Sequence, residues 1–80
     1  MTEETLCHAQ VVCSDIREMR AIIDILNAEY LDITIEGNTN GIEREREFEG
    51  NSTIGEAFKT AMLEVATEKL NQYTAEFEAL

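Results

Sequence analysis

Apolar and polar positions recur along the chain at two different periods, and the changes of period divide it into elements. Over residues 6–13 the odd positions Cys7, Ala9, Val11 and Cys13 are small and apolar, whereas Leu6, His8, Gln10 and Val12 are mixed. A period of two predicts a half-buried strand with the cysteines on its packed face. Asp15 followed by Glu18 is an Asp variant of the capping box. Behind it Ile16, Met19, Ile22, Ile23, Leu26 and Tyr30 gather within about 120° of arc, with Arg17, Arg20 and Asp24 opposite, so this segment predicts an amphipathic helix. Alternation returns at residues 31–36, with Leu31, Ile33 and Ile35 inward and Asp32, Thr34 and Glu36 outward. Gly-Asn-Thr-Asn-Gly at 37–41 then supplies the turn of a hairpin.

The returning strand, Ile42–Glu49, carries Ile42, Arg44, Arg46 and Phe48 on one face and Glu43, Glu45, Glu47 and Glu49 on the other. Burying four carboxylates costs far more than laying two arginine stems on apolar surface with their heads in water. The Ile/Phe face therefore points toward the core, and the strand belongs at a sheet edge, where its charges discourage further pairing.

Thr53 with Glu56 forms a second capping box, opening a helix that runs to residue 80. At about 26 residues it spans about 39 Å. Its apolar stripe is split: Ile54, Ala57, Phe58, Ala61 and Val65 centre on one direction, and Met62, Ala66, Leu70, Tyr73, Phe77 and Leu80 on another. The two directions differ by about 100°, more than the drift of about 20° per heptad allows. A three-stranded sheet is about 15 Å wide, so the first half of the helix is expected to cover it and the second to overhang. Leu70, Tyr73, Phe77 and Leu80 are then expected to meet a second copy in a two-fold contact, unless the helix bends back, for which it has no Pro and no Gly after Gly55.

The order strand, helix, strand, strand, helix predicts an α+β two-layer sandwich: β-α-β-β-α, a three-stranded sheet in order 1-2-3 with a short and a long helix, joined by a right-handed crossover. This order resembles a ferredoxin-like fold lacking its last strand. That family makes the third strand central, and Arg44 and Arg46 depart from it. With 80 residues and no linker or repeat, residues 1–80 are expected to form one domain behind a polar tail at 1–4.

Charge changes this picture more than composition does. There are 17 acids against 6 bases, a net charge of −11, with 44% apolar residues. Such a balance repels phosphate backbones, and no basic cluster or aromatic platform offsets it, so a basic protein surface is the expected partner rather than nucleic acid. A chain this short buries roughly 60% of its unfolded surface, which also favours a homodimer. No apolar run is long enough for a membrane span and the start is acidic, so a cytoplasmic protein is expected.

Cys7 and Cys13, about 20 Å apart along a strand, cannot bridge and are expected to be reduced. Alternation sets His8 on the opposite face from both, so neither a metal site nor a thiol nucleophile is expected. No phosphate loop, nucleophile elbow or zinc-protease motif occurs, and neither cofactor nor enzymatic activity is expected.

Glu43, Glu45, Glu47 and Glu49 recur about every 6.7 Å along their strand, comparable to successive phosphates of a nucleic-acid strand. With both helices on one sheet face, the other is expected to gather His8, Gln10, Asp32, Thr34, Glu36 and this ladder into one acidic patch. In size, acidity and lack of catalytic motifs the chain resembles the small phage-encoded inhibitors of host defence, the anti-CRISPR and anti-restriction proteins that include nucleic-acid mimics. That resemblance, which is one of composition and not of positions, implies an acidic inhibitor occupying the basic, nucleic-acid-binding surface of a partner, in the host cytoplasm if phage-encoded; the strand alternation itself offers Glu36, Glu43, Glu45, Glu47 and Glu49 as the residues that would meet it. The alternatives are a homodimeric ferredoxin-like regulatory domain that binds a small ligand, and a structural assembly protein.

Overall fold

Thr2 and the two glutamates after it start a helix. Thr2 is extended, at φ −76° and ψ 164°, and its Oγ1 accepts a hydrogen bond from the Thr5 amide at 3.1 Å. Glu3 and Glu4 place negative charge in the first turn, where the helix dipole favours it. In the computed structural model, which describes residues 2–80, α1 runs over Glu3–Leu26 with no Gly or Pro to interrupt it. It is followed by β1 (Asp32–Thr39), β2 (Ile42–Glu49) and α2 (Thr53–Glu78). The chain is thus α+β, in the order α-β-β-α, with a two-stranded antiparallel sheet.

This corrects the expected β-α-β-β-α sandwich. Residues 6–13 are helical, so among the described residues there is no third strand, no 1-2-3 order, no crossover and no ferredoxin-like sheet. The physical reason lies in two neighbours: Val11 is 59% exposed and Val12 only 2%. A strand packed through Cys7, Ala9 and Val11 would reverse that. The covered positions instead include Thr5, Ala9, Val12, Ile16, Met19, Ile23 and Leu26, spaced alternately four and three apart, with Cys13, Asp15 and Ile22 half-buried at the edge of the row. This is a heptad seam, and it continues the stripe that begins at Ile16 back through two further turns. Residues 2–4, expected as a tail, are the cap and first turn, and Asp15, expected as a cap, lies half-buried in mid-helix.

The second helix is capped by Ser52, one residue before the expected Thr53. Ser52 Oγ accepts from the Gly55 amide at 3.0 Å and donates to the Glu49 carbonyl at 2.6 Å. Along α2 the covered positions Lys59, Leu63, Ala66, Leu70 and Tyr73 repeat the spacing of four and three. The helices pack antiparallel along their length, and His8 Nε2, 2.9 Å from Glu76 Oε1, ties the start of α1 to the end of α2. The second half of α2 therefore does not overhang. Its cover is the segment of α1 whose local alternation predicts a strand.

Between the helices the chain makes a hairpin. Asn40 and Gly41 both have positive φ, 54° and 81°, the geometry of a type I′ turn, and Asn38 Oδ1 accepts from the Gly41 amide at 2.9 Å. Gly37, Asn38 and Thr39, expected in the turn, continue β1. Glu49, the end of β2, passes so close to α2 that a Cβ on Gly55 would run into its carbonyl group. Nearby, the Phe48 and Phe58 rings stack at 6.3 Å between centroids and 32° between planes. Beyond this base the hairpin projects. The radius of gyration is 16.7 Å, against about 12 Å for a compact chain of this length. Among the described residues, the buried apolar side chains are Ala9, Val12, Leu26 and Ala66, all of them on the helical pair.

Candidate functional site

The hairpin's register sorts its side chains into two unlike faces. Ile33 lies opposite Phe48, Ile35 opposite Arg46, Gly37 opposite Arg44 and Thr39 opposite Ile42. On the other face Asp32 lies opposite Glu49, Thr34 opposite Glu47, Glu36 opposite Glu45 and Asn38 opposite Glu43. All five residues expected to bind a partner, Glu36, Glu43, Glu45, Glu47 and Glu49, share this second face, joined by Asp32. His8 and Gln10, expected beside them, lie on α1 instead.

The face therefore carries six of the chain's 17 acids and no base. It extends about 25 Å, with carboxylates about 6.7 Å apart along β2 and opposed side chains about 5 Å apart across the pair. Every one of these residues is exposed. Arg44 and Arg46 leave β2 on the other side, and the Arg46 Nη1 group donates to the Glu45 carbonyl at 2.6 Å. Among the described residues, the one contact between a carboxylate and a basic side chain within 4 Å is that of Glu76 with His8, on the helices. The hairpin carboxylates thus face water with no internal cation, and Glu36 and Glu45 oppose each other directly.

The remaining candidates are placed differently. Leu70 and Tyr73, expected at a dimer contact, are half-buried in the seam with α1, while Phe77 and Leu80 stay exposed at 41% and 43%. Cys7 is exposed and Cys13 half-buried, both as free thiols. Six residues apart on a helix, they are separated by about 9 Å along the axis rather than by a strand's span. Among the described residues no group of three or more His, Cys, Asp or Glu is placed to hold a metal ion, and no helix is long and apolar enough to cross a membrane. A groove of about 510 Å³ at the hairpin's base is open and mixed, lined by Tyr30, Asp32, Glu49, Glu56 and Lys59 among others.

Sequence reasoning identified the first stripe of α2 but assigned it a cover it does not have. Ile54, Ala57, Ala61 and Val65 are exposed, Phe58 keeps 38% exposure beside Phe48, and Met62, expected in the second stripe, is exposed with them. The signal was present in the two diverging stripes, since only one of them can face α1. Comparison of the chain with protein-family models, curated proteins and solved structures finds no match.

Proposed function

We propose that the chain is a small acidic binding protein that lays the carboxylate face of its hairpin on the basic surface of a partner protein and excludes nucleic acid from it. The observation that carries this reading is the segregation of six exposed carboxylates, without internal counter-ions, onto one face of a projecting two-stranded ribbon. Such a mode of action would be that of the nucleic-acid mimics among phage-encoded inhibitors of host defence. Recognition through exposed charge acts mainly on encounter rate, and it weakens steeply with salt because such charges are screened within about 10 Å at 0.1 M.

The test compares two double charge reversals of equal size. Glu45→Lys with Glu47→Lys alters the hairpin face; Glu64→Lys with Glu68→Lys makes the same change on exposed positions of α2. Immobilised protein exposed to lysate of its native host should retain basic nucleic-acid-binding proteins, and the hairpin pair alone should lose them. Equal loss from both pairs reduces the effect to net charge. Retention by both rejects the proposed face.

A further inference from the structure

The face of the hairpin that carries no acids meets the uncovered stripe of α2 at an inside corner. Phe48 and Phe58 form the apex, at 6.3 Å between rings. One wall is α2, with Ile54, Met62 and Val65 at 49%, 45% and 57% exposure; the other is the ribbon, with Ile35 and Ile42 at 44% and 58%. Scattered single apolar residues on a surface need no explanation, but a helix stripe and a ribbon face that carries no acid, both left uncovered and meeting at one aromatic contact, do.

We infer that a second copy of this chain fills the corner, in a two-fold dimer in which the hairpin of each copy covers the α2 stripe of the other. The surface area favours this occupant. The chain exposes 6388 Å², whereas a compact monomer of its mass exposes about 4,900 Å². The excess of roughly 1,500 Å² per chain falls within the roughly 1,000 to 2,500 Å² that each subunit of an obligate homodimer buries. Shape agrees: the radius of gyration, 16.7 Å, already exceeds the roughly 15 Å of a compact chain twice as long.

Charge fits a second copy as well. Each chain has a surplus of 11 negative charges, which opposes association wherever acids meet. The corner is the place where they do not, because the six hairpin carboxylates project from the opposite side of the ribbon. Arg44 and Arg46 flank the corner's ribbon wall and offer cations to the acids of an incoming copy. A two-fold contact of this kind is reciprocal, so the stripe and the ribbon face are both covered at once. Both acidic faces stay outward, and the dimer stands whether or not they bind a partner.

Sedimentation at high micromolar concentration should give twice the chain mass of 9.0 kDa, and added salt should not dissociate a contact that is mainly apolar. Ile54→Glu with Val65→Glu, both at exposed positions, should weaken association by about 100-fold while circular dichroism retains its helical signal. Leu80→Glu, on an exposed residue outside the corner, should leave the dimer intact. Footprinting of the wild type by hydroxyl radicals, which requires no variant to fold, should show Phe58 and Met62 protected as concentration rises. A wild type of 9.0 kDa throughout overturns the dimer and leaves the corner to a different protein. A dimer that survives the corner variant, or that only Leu80→Glu divides, overturns the assigned surface.

Discussion

Two apolar stripes run along α2, and their fates differ. The stripe through Leu63, Ala66, Leu70 and Tyr73 is covered by a whole antiparallel helix. The stripe through Ile54, Phe58, Met62 and Val65 receives only the base of a hairpin. Both are apolar, and both recur at helical spacing, so hydrophobic patterning alone does not separate them. What separates them is the availability of a matching surface in the same chain. α1 carries a seam of the same heptad period and similar length, whereas the ribbon offers β-branched residues only near its base and tip, with two arginines between. A stripe becomes core only where a second element repeats its period over the same distance.

The sharpest break of this comparison uses two adjacent residues. Val12 is buried in the seam at 2% exposure, and Val11, one step of about 100° away, is 59% exposed. Val12→Asp places an unpaired carboxylate among apolar side chains and should cost about 3 kcal/mol or more, enough to unfold a domain this small. Val11→Asp should change stability by about 0.5 kcal/mol or less. Urea titration followed by circular dichroism measures both. A larger loss at Val11 than at Val12 would restore the strand and remove the seam.

That pair also marks where the sequence was legible. The second strand, Ile42–Glu49, the separation of its glutamates from Ile42 and Phe48, and the long helix after it follow from period and charge, and the structure places them as expected. Residues 6–13 misled because small apolar residues at 7, 9, 11 and 13 fit a period of two while Thr5, Ala9 and Val12 fit a heptad, and eight residues are too few to choose between them. The heptad emerges only when those positions are joined to Ile16, Met19 and Ile23 across Asp15, a residue that reads locally as a cap. Composition of the acidic face was readable from β2 alone, but its pairing with Asp32 and Glu36 depended on the Asn40-Gly41 turn fixing the register.

The junction between the well-covered and poorly covered regions turns on one glycine that patterning did not single out. A Cβ at Gly55 would run into the Glu49 carbonyl, and the Ser52 hydroxyl that caps α2 lies close by. Gly55→Ala should therefore force β2 and the start of α2 apart, costing about 1 to 3 kcal/mol. Gly37, in mid-ribbon, has no atom within 4 Å of where its Cβ would stand. Gly37→Ala should be neutral or gain up to about 0.5 kcal/mol by reducing the freedom of the unfolded chain. Thermal unfolding compares them, and equal shifts at both positions would show that the hairpin's attachment to α2 contributes nothing to stability.

The smallest effect distinguishes a face shaped for stability from one retained for binding. Glu36 and Glu45 are directly opposed on the acidic face, and like charges in that relation destabilise a strand pair. Glu45→Lys turns the repulsion into an attraction and should raise stability by roughly 0.2 to 1 kcal/mol at low salt, even as it removes the proposed partner contact. Glu43→Lys makes the same change of charge on the same face, but its neighbour across the strand is Asn38. Its gain should be smaller and should come only from the general relief of negative charge. Raising the salt concentration should bring the two variants together, since exposed charges are screened. An equal gain at low salt would assign the effect to net charge alone. A loss of stability at Glu45→Lys would mean that the carboxylate ladder supports the ribbon rather than straining it, and the acidic face would then have a structural reason to exist without any partner.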